Sequence, residues 1–562
     1  MDTQTFLKNF GYIADSHNGV EKLRELILSL AMKGNLVGQN LNDEPASELL
    51  KQIYLKRNNL ESKKNNKSLK VLPEIKPEEK PYDLPVNWKW VSFGNIAQHN
   101  SGKTLDKGRN KGHLRDYITT SNLYWGYFDL SNIRQMPMQD EELERCTVRK
   151  GDLLICEGGE AGRASVWSLD NEVCFQNHIH RARFYYGIDS YFAYRYFEML
   201  NATGEINKYR KGVTISNMSG KALASIPFPL APTNEQKRIV AKVDQLMALC
   251  DQLEAQQKQK TKTRVAINNA SLDKLLNSQT PTEFTQNWQR ISNNFHNLYD
   301  NLENLTKLRI AILQLAVQGK LVAQEKSEES AASLLDQINA VKNKLVNEKK
   351  LRRNKYSEGI PEEEKPYHIP PNWKWVRLSD VYDVRDGTHD SPKYHPQGFP
   401  LVTSKNLSSG RLELDNVKYI SKEDHEKIIE RSKVDKEDIL FAMIGSIGNP
   451  VIVDVETEFS IKNVALFKYY DKNLANPRFL NYYLHHAAVK MKEEAAGGVQ
   501  SFVPLGFLRE YPFPLPSLEE QKRIVAKVDQ LMTLCNQLES RIKQANNIQQ
   551  KLTEATVKLL AA

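Results

Sequence analysis

Thirteen residues, Glu-Gln-Lys-Arg-Ile-Val-Ala-Lys-Val-Asp-Gln-Leu-Met, occur twice in this chain of 562, at Glu235–Met247 and again at Glu520–Met532, an offset of 285. The same offset relates Asn87-Trp88-Lys89-Trp90 to Asn372-Trp373-Lys374-Trp375 and Glu78-Glu79-Lys80-Pro81-Tyr82 to Glu363-Glu364-Lys365-Pro366-Tyr367. Nearer the start it relates Leu23-Arg24 to Leu308-Arg309, Leu30-Ala31 to Leu315-Ala316, and Gly34, Leu36 and Val37 to Gly319, Leu321 and Val322. A repeat of this length fixes the architecture that every local motif must fit. The chain is two successive copies, roughly 1 to 285 and 286 to 562.

Between the matched flanks the copies diverge, from Ala97 to Ser225 and from Tyr382 to Glu510, leaving echoes such as Asp152/Asp438, Gly159/Gly445, Gly162/Gly448 and Asn177/Asn463. Two scaffolds stayed alike while their inserts did not. That pattern suits inserts that share a fold and recognise different things.

The flanks read as helices. After Pro232, apolar residues fall at Ile239, Val243, Leu246, Cys250 and Leu253, alternating in steps of four and three; copy two repeats this at Ile524, Val528, Leu531, Cys535 and Leu538, continuing through Ile542, Ala545, Leu552 and Leu559. This is the spacing of a coiled-coil seam, and it predicts a helix of ~40 residues, ~60 Å long, in each copy. A dimerising coiled coil fits the periodicity equally well, but a chain with both copies can pair its own helices about an internal two-fold axis. A second pattern, Val20, Leu23, Ile27 and Leu30 against Leu298, Leu302, Leu305, Leu308, Ile312 and Leu315, predicts a helix ending near Gly34 or Gly319. Further helices are expected over Ala46–Leu60 and Ala331–Lys350, followed by connectors that end at Pro85 and Pro371.

In the inserts, β-rich runs cover 152–156, 164–167 and 172–184, with counterparts at 438–441, 451–453 and 459–470. Helices follow at Tyr191–Leu200 and Pro477–Lys492, which makes the inserts mixed rather than doubly wound. The expected fold class is α+β: two mixed α/β recognition domains separated by long antiparallel coiled-coil helices, with an internal pseudo-two-fold repeat.

Composition narrows the function classes. With 40% hydrophobic and 26% charged residues, and no apolar run near the ~20 residues that span a bilayer, no membrane segment is indicated. The start carries no secretion signal, so the cytoplasm is the expected location. Cys146, Cys156, Cys174, Cys250 and Cys535 form no CxxC pair, which argues against a zinc site or a disulfide framework. The net charge of +9 is compatible with a polyanion partner and decides little alone.

Three motifs tempt a catalytic reading. Ala97 to Thr104 fits a permissive Walker A pattern ending in Gly102-Lys103-Thr104, but no helical stripe follows and copy two lacks the lysine. A DNA-facing loop bearing Lys103 is preferred. Gly158-Gly159-Glu160-Ala161-Gly162-Arg163 lies between two short strands, where glycines serve a turn. His178 and His180 lack a third ligand and read as packing or surface residues. Neither an Asp/Asn-Pro-Pro-aromatic methyltransferase motif nor a glycine-rich cofactor loop between strand and helix occurs, and no metal or cofactor is expected.

Each divergent insert closes on Pro-Phe-Pro-Leu (Pro227 to Leu230, Pro512 to Leu515), followed by the Glu-Gln-Lys-Arg-Ile-Val helix start. In this the chain resembles, over essentially its full length, the specificity subunits of type I restriction-modification systems. The block with Leu23-Arg24-Glu25-Leu26-Ile27-Leu28 and Gly34-Asn35-Leu36-Val37 is similar to the subclass with a shared region ahead of the first recognition domain. The resemblance implies a non-catalytic subunit that binds double-stranded DNA, two adenine-N6 methyltransferase subunits and endonuclease-translocase subunits, with the S-adenosylmethionine and ATP sites on those partners. It implies an N-terminal helical region at 1–80, recognition domains at 81–230 and 366–515, a helical spacer at 231–365 and a C-terminal helix at 516–562. The competing reading is a coiled-coil scaffold that binds only protein; a standalone enzyme using the Gly-Lys-Thr loop is a third. The candidate DNA contacts are Lys103, Arg109, Lys111, Arg115, Thr119, Thr120, Ser121, Asn122 and Arg163 in the first insert, and Lys393, Tyr394, Thr403, Ser404, Lys405, Asn406 and Arg411 in the second. The Thr/Ser/Asn runs occupy similar places in both, as a shared DNA contact or a shared turn.

Overall fold

The apolar spacing of the flanks becomes helix in a computed structural model, which describes residues 11–561 apart from 12, 15, 17, 64–70, 105, 107, 109, 213–215, 352–358, 446 and 496–501. The chain divides into two units, Met1–Lys260 with Gln544–Ala562, and Thr261–Lys543. In the first copy of the repeat, α1 (Gly19–Met32) and α2 (Ala46–Lys63) precede the insert, α3 (Ser190–Ala202) lies within it and α4 (Thr233–Leu276) follows. The second copy has α5 (Pro281–Asn293), α6 (Leu302–Val317), α7 (Ala331–Asn347), α8 (Pro477–Ala495) and α9 (Leu518–Ala561). No described helix is long and apolar enough to cross a membrane.

The glycine stops behave as expected. Gly34 sits at φ +73°, its N–H donates to the Ala31 carbonyl at 3.2 Å, and Asn35 N–H donates to the Leu30 carbonyl at 2.8 Å, a Schellman end to α1. A Cβ on Gly34 would meet Pro85 Cγ at 2.4 Å. Gly319 repeats both constraints, at φ +69° with Pro370 Cγ at 2.4 Å.

The repeated thirteen residues are alike because they meet like surroundings. Glu235, buried at the start of α4, accepts from Trp88 Nε1 at 3.0 Å and Gln39 Nε2 at 2.5 Å, while Arg238 pairs with the buried Asp43 at 2.7 Å. At the start of α9, Glu520 accepts from Gln324 at 2.5 Å, and Arg523 pairs with Glu328 at 2.8 Å. Burial pushes both glutamate carboxyls above their usual range, against the pull of the Trp88 and Gln39 donors on Glu235 and of the Gln324 donor on Glu520.

The first insert opens on β1 (Lys89–Ser92), β2 (Ala97–Ser101) and β3 (His113–Ile118), then the hairpin β4 (Leu123–Tyr124) and β5 (Tyr127–Phe128), and β6 (Arg134–Met138), β7 (Thr147–Val148) and β8 (Leu153–Cys156). It continues through β9 (Gly158–Gly159), β10 (Ala164–Val166), β11 (Val173–Phe175), β12 (Ile179–Phe184), β13 (Ser216–Asn217) and β14 (Pro227–Leu230). Two four-stranded sheets result, ordered β10-β8-β12-β2 and β6-β3-β11-β7, with β3 and β11 parallel. The ends of the insert are tied by β1 against β14, Lys89 opposite Leu230.

The second insert is built the same way from β15 (Lys374–Arg377), β16 (Tyr382–Asp386), β17 (Phe399–Val402), β18 (Lys418–Ile420), β19 (Ile439–Ala442), β20 (Gly448–Ile452), β21 (Ser460–Ile461), β22 (Val464–Tyr469) and β23 (Pro512–Leu515). Its sheets run β16-β22-β19-β20 and β18-β17-β21, β17 and β21 are parallel, and β15 pairs with β23 with Lys374 opposite Leu515, again an offset of 285. Mixed helix and sheet in two repeated units is the fold class expected, despite the divergence.

The stripe on the long helices is spent inside each unit. Ile239, Val243, Leu246 and Cys250 are buried in one continuous core with Leu23, Leu30 and Phe192, and Leu253 packs at its margin. Ile524, Val528 and Cys535 are buried likewise, with Leu531 and Leu538 partly covered. Each core also takes residues from the last turns of the other copy's long helix: Val557 and Leu560 in the first unit, Leu272 and Leu275 in the second.

Four expectations need correction. The stripe of α9 does not continue through Ala545, Leu552 and Leu559, which are exposed; burial passes to Thr553, Val557 and Leu560, because a strict heptad drifts ~20° per repeat around a straight helix. Leu298 is not on the helix of Leu302–Leu315, since Asn301 caps α6 by accepting from Asn304 N–H at 2.9 Å and breaks the path. Helix α5 lies where no helix was expected. Residues 172–184 are two strands in different sheets, as are 459–470, which the alternation of apolar residues alone does not reveal.

Replacing Leu560 by Ala should destabilise the first unit, which carries the opposite copy of the repeat, by about 2–3 kcal/mol. The 78% exposed Leu559 should tolerate the same change within about 0.5 kcal/mol in denaturant titration followed by limited proteolysis.

Candidate DNA interface

The Thr/Ser/Asn runs are a shared turn. Thr119 donates to Asn122 Oδ1 through its N–H at 2.9 Å and its hydroxyl at 3.1 Å, and Asn122 Nδ2 donates to the carbonyls of Asp129 at 3.0 Å and Asn132 at 3.4 Å. In the second insert Thr403 donates twice to Asn406 Oδ1 at 3.0 Å, and Asn406 Nδ2 reaches the carbonyls of Glu413 at 3.2 Å and Asn416 at 3.4 Å. The amides of Asn122 and Asn406 are thus spent on backbone and buried. Thr119, Asn122, Thr403 and Asn406 hold the loop, while Thr120, Ser121, Ser404 and Lys405 remain partly or fully exposed.

That clamp presents a hairpin tip. Tyr124 and Tyr127 stack with ring centroids 4.9 Å apart and planes at 7°, the Arg163 guanidinium lies 5.4 Å from the Tyr124 ring, and Trp125 Nε1 donates to Glu160 at 2.7 Å. The glycine loop beside it is a turn. Cys156 N–H donates to the Arg163 carbonyl at 2.7 Å and Gly162 N–H to the Cys156 carbonyl at 2.8 Å, with Gly159 at φ +78° and Gly162 at +90°. A third segment joins them: Ser216 Oγ donates to the Gly159 carbonyl at 2.5 Å, and Arg210 Nε to that of Ala161 at 2.6 Å. The second insert keeps this pairing as a bridge between Ile444 and Phe502.

Lys103 must be withdrawn from the surface candidates. It is buried and paired with Glu142, whose carboxyl that lysine's hydrogen bond holds below its usual range. Its N–H donates to the Phe175 carbonyl at 3.0 Å, a Cβ on Gly102 would lie 2.0 Å from that oxygen, and none of the described residues of 104–112 is helical. This is no phosphate cradle. Arg163 is mostly covered, giving hydrogen bonds to Glu160 at 3.1 Å and the Thr120 carbonyl at 2.7 Å, so it braces the tip.

Lys111, Arg115, Lys393, Tyr394 and Arg411 are exposed, with the Lys418 ammonium 6.0 Å from the Tyr394 ring. Arg109 lies outside the described residues. His180 is buried against the Met218 carbonyl at 3.1 Å, and burial lowers its pKa; His178 faces solvent. Among the described residues no cluster of histidine, cysteine or carboxylate side chains could hold a metal. Tyr124, Trp125, Tyr127, Arg210 and Lys211 were missed as site candidates. The signal available in the sequence was Gly126 against Gly410, four residues after each turn asparagine.

Two stretches of the chain, 85–263 and 370–547, match the family model described as the type I restriction modification DNA specificity domain. The chain belongs to that family. Among its relatives, the specificity subunit of the type I restriction enzyme EcoAI of Escherichia coli is 31% identical over 562 residues, covering 96% of this chain and 93% of that one. The EcoEI specificity subunit of the same organism is 28% identical over 574 residues, with the same coverages. The solved HsdS subunit from Thermoanaerobacter tengcongensis aligns with a TM-score of 0.43 at 16% identity, covering 85% of this chain and 98% of that chain. The matched stretches of the specificity family start 285 residues apart, the offset of the repeat itself, and each contains one insert with its turn, tip and glycine loop.

Asn122→Ala or Asn406→Ala should each cost about 2–3 kcal/mol by stranding buried donors, seen as a lowered unfolding midpoint. Ser121→Ala, at the exposed edge of the same turn, should stay within about 0.5 kcal/mol.

Proposed function

We propose that this chain is the DNA-reading specificity subunit of a type I restriction-modification complex, in which each insert reads one half of a bipartite site in double-stranded DNA. The observation that carries this reading is that both inserts keep the same four-stranded sheet, the same parallel pair in the second sheet and the asparagine-clamped turn while differing at the side chains the turn exposes. In this reading the division is a helical region at 1–80, recognition domains at 81–230 and 366–515, a helical spacer at 231–365 and a closing helix at 516–562.

Base edges in the major groove distinguish all four base pairs, whereas basic side chains on phosphates set register without reading sequence. Lys111, Arg115, Lys393 and Lys405 take the phosphate role, with Thr120, Ser121, Ser404, Tyr394 and Arg411 nearer the bases. Helices α4 and α9 have 44 residues each, about 66 Å at 1.5 Å per residue; in this reading they are the antiparallel coiled-coil spacer that fixes the unread gap. Two adenine methyltransferase subunits dock on the duplicated scaffold, one per copy, and endonuclease-translocase subunits join them. The flipped adenine, S-adenosylmethionine and ATP belong to those partners.

Mapping adenine methylation across the host genome with the chain present and deleted tests this. A split adenine motif should vanish on deletion, and an unchanged methylation map would refute the reading. Lys405→Ala should weaken binding to all sites alike and lower the slope of log K against log salt by about 1, with the motif unaltered.

A further inference from the structure

Aligned on the clamp asparagine, at an offset of 284, the two tips correspond residue for residue: Tyr124-Trp125-Gly126-Tyr127 against Ser408-Ser409-Gly410-Arg411. The frame beneath them is the same. Gly126 is at φ +78° and Gly410 at +77°; Asp129 N–H donates to the Asn122 carbonyl at 2.9 Å, and Glu413 N–H to that of Asn406 at 3.0 Å. A Cβ on Gly126 would meet the Tyr194 hydroxyl at 2.9 Å, which accounts for a glycine there on packing as well as on φ.

The first tip is the β4–β5 hairpin and the second follows a 3-10 turn over Ser404–Leu407, and on this shared clamp the outward side chains differ in kind. In the first insert the tip is a stiff aromatic surface, with Tyr124 and Tyr127 stacked and Trp125 held by Glu160. In the second, two serines replace the first two aromatics, and Arg411 stands where Tyr127 stands. Arg411 is exposed and forms no hydrogen bond or ion pair among the described residues. Elsewhere in the same insert Arg377, Arg385, Arg431 and Arg478 are engaged with carboxylates. An unpartnered guanidinium breaks no ion pair to take a new partner and has its fork still available. The planar fork of arginine matches the O6 and N7 acceptors of guanine, a fit that a lysine ammonium does not reproduce.

We propose that the turn tips beyond the clamp asparagines are the base-reading elements of the two inserts, and that Arg411 selects a guanine in the half-site read by the second insert. The proposal rests on the DNA-reading function above and narrows it to one side chain. At the same frame position Tyr127 has no forked donor, so the half-site of the first insert is read there without a guanine-specific contact.

The test uses the complete complex in a host, with its adenine methylation mapped for the wild-type chain, Arg411→Ala and Arg411→Lys. Both variants should relax one guanine position in one half-site, with discrimination there falling about tenfold or more, while the other half-site and the methylated adenine stay as they were. The lysine variant should retain more overall methylation than the alanine one, because it keeps the charge. A motif unaltered in both variants overturns the assignment. So does relaxation at a position that is not guanine, or loss of all methylation in both, which would make Arg411 structural. If deletion of the chain removes no split motif, the DNA-reading function itself fails, an outcome distinct from a motif that is present and indifferent to Arg411.

Discussion

A buried carboxylate at the head of each long helix is the point on which the architecture depends. A carboxylate out of water must be met by donors or it destabilises the fold, and Glu235 is met by Trp88 from the entry of the insert and Gln39 from the N-terminal flank. The Trp88 ring then lies 6.0 Å from Phe192 of α3, inside the insert. One residue therefore fixes flank, insert and long helix together. Glu520 holds the corresponding place with Gln324, and Trp373 lies 6.2 Å from Phe479. The node accounts for the identity of Glu235 and Arg238 with Glu520 and Arg523 within the repeated thirteen residues.

Above that node, variation is inexpensive. The strands that pair at the base, β1 with β14 and β15 with β23, keep their register, and the sheets above them keep their order. The asparagine clamp keeps the same four acceptor and donor relations in both inserts. The clamp asparagines Asn122 and Asn406 face inward. Side chains pointing outward from the tip are free to change without disturbing the frame, which is the physical requirement for two readers of different sequence on one scaffold. Within each unit the core is closed by residues of the other copy's long helix, Val557 and Leu560 in the first and Leu272 and Leu275 in the second.

The repeat, the long helices, the glycine stops and the family were legible in the residues because each is a local or self-similar signal. The break at Asn301 and the exposed Leu552 and Leu559 were not, since a capping asparagine and a drifting stripe depend on which neighbours cover the helix. Lys103 misled for a related reason. A lysine beside glycine and threonine looks available until Glu142, 39 residues away, is brought against it. The tip residues Tyr124 and Tyr127 were passed over in favour of charges, although Gly126 and Gly410 marked the same turn in both inserts. Only the fold reveals that the asparagine amides are spent and the tip side chains are not.

A shared clamp beneath two different tips makes the inserts interchangeable readers. Replacing residues 382–510 with residues 97–225 gives a chain whose two inserts are the same, the second seated on strands β15 and β23, which keep the register of β1 and β14. Adenine methylation mapped in a host carrying this chain with its partner subunits should show a new motif with two like halves, both matching the half-site of the original first insert. Retention of the original motif would contradict the account, and so would a motif in which both halves differ from that half-site.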